Sequence, residues 1–358
     1  MGIAGLLPLL KGGGCTEKCH IKRYKGKRVG IDASTWLHRG AYGCATALAL
    51  ERPCDSYVRY FLRLIEMLRH HDVEPFVVFD GSALPSKALT TNRRREQRQA
   101  DRAKGLAAHQ AGDAELANSH FQKCISVTHG MVKAVIEELR RAKVEFIVAP
   151  YEADAQLAFL ARTDQVAAVI TEDSDLALYD CKHVFTKMDT YGEGVDVDLT
   201  KLTTLAGFRT FKDDMFLDMC ILSGCDYVDS VHGVGLKTAQ KLITKWRTLE
   251  RVAKQLKFEK KCEASYLDDV LRAKATFQHH WVYENRQLFG RKMVALSGRD
   301  VSSVTEEECE FLGVYMERRV VQRVAHGELN PKRYKQELEQ EQEKKEADAQ
   351  RKRCAATS

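Results

Sequence analysis

The chain has 358 residues, 44% of them hydrophobic and 30% charged, with 56 Lys and Arg against 50 Asp and Glu for a formal charge of +6. That length exceeds the usual single small domain and predicts one large domain with accessory parts. Eleven cysteines without a CxxC pair exclude a disulfide framework, and no apolar run approaches membrane-spanning length, so the sequence reads as an intracellular protein with no membrane association.

The amino end, MGIAGLLPLLKGGG, lacks the charged start of a signal peptide, and Leu6 stands where myristoylation needs Ser or Thr. Its apolar stretch to Leu10 reads as a core helix. Cys15, Cys19 and His20 are zinc-ligand types, but no second pair follows at zinc-site spacing and the trio reads as incidental. Four short runs rich in Val, Ile or Phe are predicted as buried parallel strands: Arg28–Ile31, Pro75–Phe79, Val144–Val148 and Val166–Ile170. Helical-period segments separate them, which predicts an α/β sheet with helices on both faces. Ligands of such sheets bind beyond the carboxyl ends of the strands.

Between Pro85 and about His129 the pattern turns helical and basic, an insertion before the next helix, Met131–Arg141. After Asp213 the chain is predicted to be helical again, interrupted by a glycine turn at Gly233–Gly235. From Pro331 onward apolar residues almost vanish. Pairs such as Glu341–Lys345 and Asp348–Lys352 would support an exposed helix; a disordered tail fits equally well.

Acidic residues follow nearly every predicted strand. Asp32 ends VGID, Asp80 ends FVVFD, and Asp173 and Asp175 follow AVIT in TEDSD. Glu152 and Asp154 open a helix directly after FIVAP, where the helix dipole favours anions. Asp226 sits at a helix–turn boundary in ILSGCDY. An i, i+2 spacing in an extended segment turns Asp173 and Asp175 to one side and Glu172 away. One Asp after a strand is usually a cap or turn residue, but three strands ending this way, with the EAD and DSD pairs, make a cluster. Seven hard oxygen donors without His or Cys point to Mg²⁺ or Mn²⁺. Two such ions about 4 Å apart activate water and stabilise the leaving oxygen in phosphodiester hydrolysis.

The insertion carries Lys87, Arg93, Arg94, Arg95, Arg98, Arg102 and Lys104 against only Glu96 and Asp101. On a helix Arg94, Arg98 and Arg102 form one stripe. Like charges at this spacing disfavour the helix unless a polyanion neutralises them. In the glycine turn, Gly233 and Gly235 let the backbone approach a phosphate, and Lys237, Lys241 and Lys245 follow on one helical face.

MGIAGLLPLLK, VFDG, APYEADAQLA, ITEDSDLALY and CILSGCDYVDSVHGVGLKTA together resemble the flap endonuclease superfamily of structure-specific 5′ nucleases. RYKGKRVGIDASTWLHRGA, LPSK with the RRR run, and KMDTYGEG resemble the eukaryotic exonuclease 1 family within it. The similarity runs from Met1 to about residue 328. It implies a PIN-like α/β core with a mainly parallel sheet flanked by helices, a helical arch and a helix-two-turn-helix region. The corresponding boundaries are a nuclease domain over 1–330 and a charged tail over 331–358. Within that domain the core covers 1–84 and 130–212, the arch 85–129, the helix-two-turn-helix region 213–290 and a closing segment 291–330.

The resemblance also implies roles. Asp32, Asp80, Glu152, Asp154, Asp173, Asp175 and Asp226 would hold or orient two Mg²⁺, for which Mn²⁺ substitutes. Lys87 and Arg94 match cations that contact the scissile phosphate as its bond breaks. Gly2, His38, Arg95, Arg98, Lys187, Gly233, Gly235 and Lys237 fall at DNA-binding positions, and Ser223, Ser230 and Val234 would hold one K⁺ by hydroxyl or backbone oxygens. Trp36 is expected in the core, and Ser34 replaces an aromatic residue, which weakens stacking there. The implied protein is a nuclear DNA-repair enzyme, a 5′-to-3′ double-stranded DNA exonuclease that also cleaves 5′ flaps. Its substrates would be DNA with 5′ ends, nicks, gaps or flaps. Mismatch-repair factors are implied partners, although the family's usual recruiting tail is absent. A strict replication flap endonuclease and a catalytically silent DNA-binding scaffold are the rivals.

Overall fold

The computed structural model describes residues 2–205, 207–212 and 214–356. The chain begins with α1 (Leu6–Gly12), β1 (Thr16–His20), β2 (Arg28–Asp32), α2 (Ala33–Tyr42), α3 (Ala45–Ala49), α4 (Ser56–His70) and β3 (Glu74–Phe79). The insertion is α5 (Ala88–Gln110) and α6 (Ala114–Cys124). There follow α7 (His129–Arg141), β4 (Glu145–Val148), α8 (Ala153–Arg162), β5 (Ala168–Ile170), β6 (His183–Thr186) and β7 (Glu193–Asp198). The remainder is α9 (Met215–Leu222), α10 (Leu236–Trp246), α11 (Leu249–Phe258), α12 (Tyr266–His279), β8 (Trp281–Tyr283), β9 (Met293–Ala295), α13 (Glu306–Leu312), α14 (Arg318–Ala325) and α15 (Tyr334–Ala356).

The seven-stranded sheet has the order β1-β7-β6-β5-β2-β3-β4. Its five central and distal strands, β6 to β4, run parallel, while β7 and β1 complete one edge antiparallel. The apolar runs form β2 to β5 because they are buried on both faces: Val29, Ile31, Val77, Val78 and Val169 are wholly enclosed. Trp36 lies in the core, edge-on to Phe61 at 5.2 Å. Helix α8 is buried around almost its whole circumference. One side meets the sheet; on another, Gln156 exchanges hydrogen bonds of 2.9 and 2.7 Å with the Tyr283 backbone of β8.

The structure adds strands that periodicity did not announce. β1 (TEKCH) is a polar edge strand, β6 (HVFT) extends the parallel sheet beyond β5, β7 alternates Val with Asp, and β8 and β9 form a three-residue-per-strand hairpin inside a stretch expected to be wholly helical. Asp213, taken as the boundary of that stretch, lies outside the described residues. The tail is helical in α15, and Glu341 pairs bidentately with Arg323 at 2.7 and 2.9 Å. The expected tail partners Lys345, Asp348 and Lys352 have side chains outside the described residues. Among the described residues the cysteines are free, and no helix is long and apolar enough to cross a membrane.

One glycine locks the site's two halves together. Gly81, just past β3, donates its N–H to the Tyr151 carbonyl at 2.6 Å, and a Cβ there would stand 1.9 Å from the Ala149 oxygen. Because the obstacle is backbone, Gly81→Ala should lower the Tm by at least about 5 °C in calorimetry; an unchanged Tm would mean that these loops part freely.

Candidate active site

The strands deliver their acidic residues to one edge of the sheet. Asp32 ends β2, Asp80 follows β3, Glu152 and Asp154 begin α8 after β4, and Asp173 and Asp175 follow β5. Asp226 arrives from the loop after α9. Hydrogen bonds connect these segments. Ser34 donates its backbone N–H to Asp32 Oδ1 at 3.0 Å and its hydroxyl to Asp80 Oδ2 at 2.5 Å. The Ala153 N–H, at the amino end of α8, reaches Asp80 Oδ1 at 3.0 Å. Thr35 and Thr171 donate their hydroxyls to Asp32 Oδ2 at 2.6 and 2.9 Å.

Cations bind the other side together. Lys87 Nζ bridges Glu152 Oε1 and Asp226 Oδ2, the latter at 2.9 Å, and Arg94 donates to Asp226 Oδ1 at 2.7 Å. Tyr227 donates its hydroxyl to Glu152 Oε2 at 2.5 Å. Asp154 has no such bond, but it lies within electrostatic reach of Asp173, Asp32, Lys87 and Glu152.

Two expectations need correction. Asp173 and Asp175 are not in an extended segment: Asp173 caps the 3₁₀ helix Ser174–Tyr179, accepting the Asp175 N–H at 3.1 Å, and Asp175 lies in its first turn. Glu172 does face away, toward Thr186, the Lys187 N–H and Arg39. Nor does the arginine stripe of α5 depend on a polyanion alone for partners, since its members find some within the chain. Arg94 points to Asp226, Arg98 bonds the Arg94 carbonyl, and Arg102 reaches Ala49 O and Glu51, each at 3.1 Å.

Burial governs the electrostatics. It pushes Asp32 up to about 6, with Asp80 adding to the effect and the Thr35 and Thr171 hydroxyls opposing it. Burial, Asp173 and Asp226 push Asp175 up to about 8. Asp154 and Asp173 are also raised, burial being the main cause in both. Glu152 is the exception: burial works against its charge, but Lys87 and His280 overcome this and hold it below the usual range. Lys87, although buried, is held well above its ordinary value by Glu152 and Asp226. Among the described residues, no three His, Cys, Asp or Glu side chains surround one point at metal-binding distance.

The remaining candidates lie around this edge. Gly2, at φ +88°, abuts the cluster so closely that a Cβ would stand 2.5 Å from Asp173 Oδ1. His38 is half-buried, its imidazole held below the usual range by burial and Arg98. Arg95 and Lys187 are exposed, as are Gly233, Gly235 and Lys237 on the turn into α10. In that loop, Ser223 donates to the Cys220 carbonyl at 2.8 Å, Ser230 packs against Gly224, and buried Val234 bonds its N–H to Val231 O at 2.9 Å.

The sequence reading missed several groups at the site. Thr35 and Thr171 lie three residues after and two before acidic residues, a spacing that could have flagged them. Tyr227 adjoins Asp226. His280, 3.6 Å from Glu152 Oε2 and wholly buried, carries no local signal. At the start of α5, Thr90 donates to the Asp226 carbonyl at 2.8 Å and Arg93 holds Asp229 with two bonds of 3.0 and 2.8 Å.

The sheet, its acidic edge and the bridging cations define a PIN-like nuclease core. The XPG N-terminal domain matches residues 1–101 and the XPG I-region matches residues 143–226. Exonuclease 1 of Arabidopsis thaliana is 39% identical over 92% of this chain and 44% of its own length. Exodeoxyribonuclease 1 of Saccharomyces cerevisiae is 31% identical over 94% of this chain and 51% of its own. Among solved structures, the catalytic core of Rad2 in complex with DNA substrate superposes with a TM-score of 0.55 at 23% identity, covering 77% of this chain and 80% of that one, a likeness of fold. The chain belongs to the flap endonuclease superfamily and stands close to the exonuclease 1 proteins, about half of whose length it spans.

The raised Asp175 has a measurable consequence. A carboxyl whose folded pKa exceeds its unfolded one supports the fold below the unfolded value and loses that support as pH rises through the folded value. Asp175 therefore weakens the metal-free fold progressively between its usual 3.8 and about 8. In EDTA, Asp175→Asn should raise the Tm by at least about 2 °C at pH 8.5 and by less at pH 6. An equal gain at both pH values would show that Asp175 is already ionised at pH 6.

Proposed function

We propose that this protein is a divalent-metal-dependent 5′ nuclease of DNA repair in the nucleus. It would hydrolyse double-stranded DNA from 5′ ends, nicks and gaps in the 5′-to-3′ direction and also cleave 5′ flaps. The observation that carries this reading is the convergence of seven carboxylates with Lys87 and Arg94 ion-paired among them. The donor chemistry fits two hard divalent ions, Mg²⁺ or Mn²⁺. Asp175 Oδ1 is buried without a hydrogen-bond partner, and the raised Asp32, Asp154, Asp173 and Asp175 carboxyls describe a cluster that gains from added positive charge. Asp32, Asp80, Glu152, Asp154, Asp173, Asp175 and Asp226 would hold these ions. When bound, they would lower the pKa of water and offset charge on the departing oxygen.

The protein's own residues supply the rest. Lys87 and Arg94, at the base of the arch, are positioned to exchange their carboxylate partners for the oxygens of the scissile phosphate, adding charge stabilisation where the bond breaks. Arg95, Arg98 and Lys187 would steer phosphates toward that point. His38 offers a ring face for stacking. Gly2 leaves space beside Asp173 where any side chain would intrude. On the far side, Gly233, Gly235 and Lys237 would track duplex phosphates without reading sequence, with K⁺ bound by Ser223, Ser230 and Val234 oxygens. Repair-protein partners are a further part of this reading, drawn from the likeness to exonuclease 1.

With 5′-recessed and 5′-flap duplexes labelled at the 5′ end, the expected products in Mg²⁺ are mononucleotides and short flaps, with none in EDTA. Asp175→Ala should reduce turnover at least about 1,000-fold while DNA affinity stays within a few-fold; cleavage at wild-type rate by this variant would remove the reading. For Arg94→Ala, single-turnover cleavage should slow about 100-fold or more with little change in binding. Equal losses in rate and affinity would make Arg94 a phosphate anchor instead.

A further inference from the structure

Glu152 is gripped from two sides by groups of different character. Lys87, on a flexible side chain at the base of the arch, occupies Oε1. Tyr227 donates to Oε2 at 2.5 Å, and the Tyr227 oxygen in turn lies 2.9 Å from the Tyr179 hydroxyl. Since the Tyr227 proton is committed to the carboxylate, Tyr179 is the donor of that second bond. The relay is held by packing. Phe277 of α12 stands edge-on to both rings, at 5.1 Å from Tyr179 and 4.8 Å from Tyr227, and His280 closes the box 6.3 Å from Tyr179. Tyr179 and Phe277 are buried, and His280 is wholly enclosed.

We propose that Tyr227, backed by Tyr179, is a positioning residue that fixes Glu152 by its Oε2 and so presents Oε1, where Lys87 now sits, to a divalent cation. This rests on the metal-nuclease reading above and assigns it an internal order. Lys87 cannot both neutralise Glu152 and stabilise a scissile phosphate. Once it leaves, a carboxylate on a broad terminal torsion would swing and lose directional donation. A hydrogen bond from a neutral hydroxyl holds the oxygen in place without cancelling its charge, as partners behind metal ligands do. Tyr179 strengthens that bond by polarising Tyr227. His280 Nε2 lies 3.6 Å from the same oxygen, a longer contact than the Tyr227 hydroxyl makes.

The test is a Mn²⁺ titration followed by electron paramagnetic resonance on the full metal-free chain without DNA, comparing wild type, Tyr227→Phe and Tyr179→Phe. Tyr227→Phe should weaken Mn²⁺ binding about 10-fold, and Tyr179→Phe by about 2- to 3-fold. In parallel assays Tyr227→Phe should lower kcat at limiting Mg²⁺, leave the KM for DNA unchanged, and recover most of its rate in excess Mg²⁺. A purely structural role would lower the rate equally at every Mg²⁺ concentration, which would overturn the proposal. So would a Tyr227→Phe protein that binds Mn²⁺ as tightly as wild type. Should Tyr227→Phe fail to fold, Tyr179→Phe decides, and unchanged Mn²⁺ affinity in it counts against the relay. Wild type that binds no Mn²⁺ would remove the metal reading itself and the relay with it.

Discussion

Mutual repulsion among carboxylates gathered at one sheet edge is the constraint from which the rest of the site follows. Burial makes the problem worse at most of them, because a buried charge loses water as well as facing its neighbours. The chain answers with directional donors rather than with distance. Asp32 takes two threonine hydroxyls and an amide, Asp80 takes a serine hydroxyl and the amino end of α8, and Glu152 takes a lysine and a tyrosine. Burial still outweighs the donors at Asp32, and at Asp154, Asp173 and Asp175 as well, so these carboxyls hold their protons to higher pH. The same frustration gives the cluster its affinity for positive charge.

That affinity ties the helical insertion to the core. Lys87, Thr90, Arg93 and Arg94 lie within one run at the start of α5, and all four reach Glu152 or the loop around Asp226 and Asp229. The loop continues directly into the turn at Gly233 and Gly235 that opens α10. The acidic edge, the basic insertion and the glycine turn, on separate stretches of chain, therefore meet at one short segment. The exposed Arg93–Asp229 pair adds little stability alone; its importance is that it lies between the insertion and the turn.

Much of this was legible in the amino-acid sequence because burial on both faces forces continuous apolar runs. The four expected strands appear within a residue or two of their predicted limits, and their acidic termini fall on the same edge because parallel strands all point their carboxyl ends one way. What was not legible has a physical reason in each case. β1 and β7 are edge elements that need no apolar run, and β8 and β9 are too short to show a period. The 3₁₀ turn under Asp173 depends on a local cap, which overrides the extended conformation expected after a strand. Tyr179 and His280 approach Glu152 only through tertiary packing, so nothing near them in the sequence marks their role.

The stretch from residue 277 to 314 bears on the candidate site even though it carries none of the seven carboxylates. Glu152 and Asp154 sit on the first turn of α8, and that helix is fixed from behind by the hairpin through Gln156 and Tyr283. The hairpin is fixed in turn: the Trp281 indole donates to the Gly313 carbonyl at 2.9 Å, and the Tyr151 hydroxyl to Val314 O at 2.9 Å. A Cβ at Gly313 would overlap the Tyr151 ring, at 2.3 Å, so the chain passes there as close to the residue before Glu152 as backbone permits. Both regions that match the XPG descriptions end by residue 226, yet the geometry of the acidic pair on α8 depends on residues 277 to 314. The candidate ligands lie on the acidic edge, and this later stretch of chain fixes the helix that carries two of them.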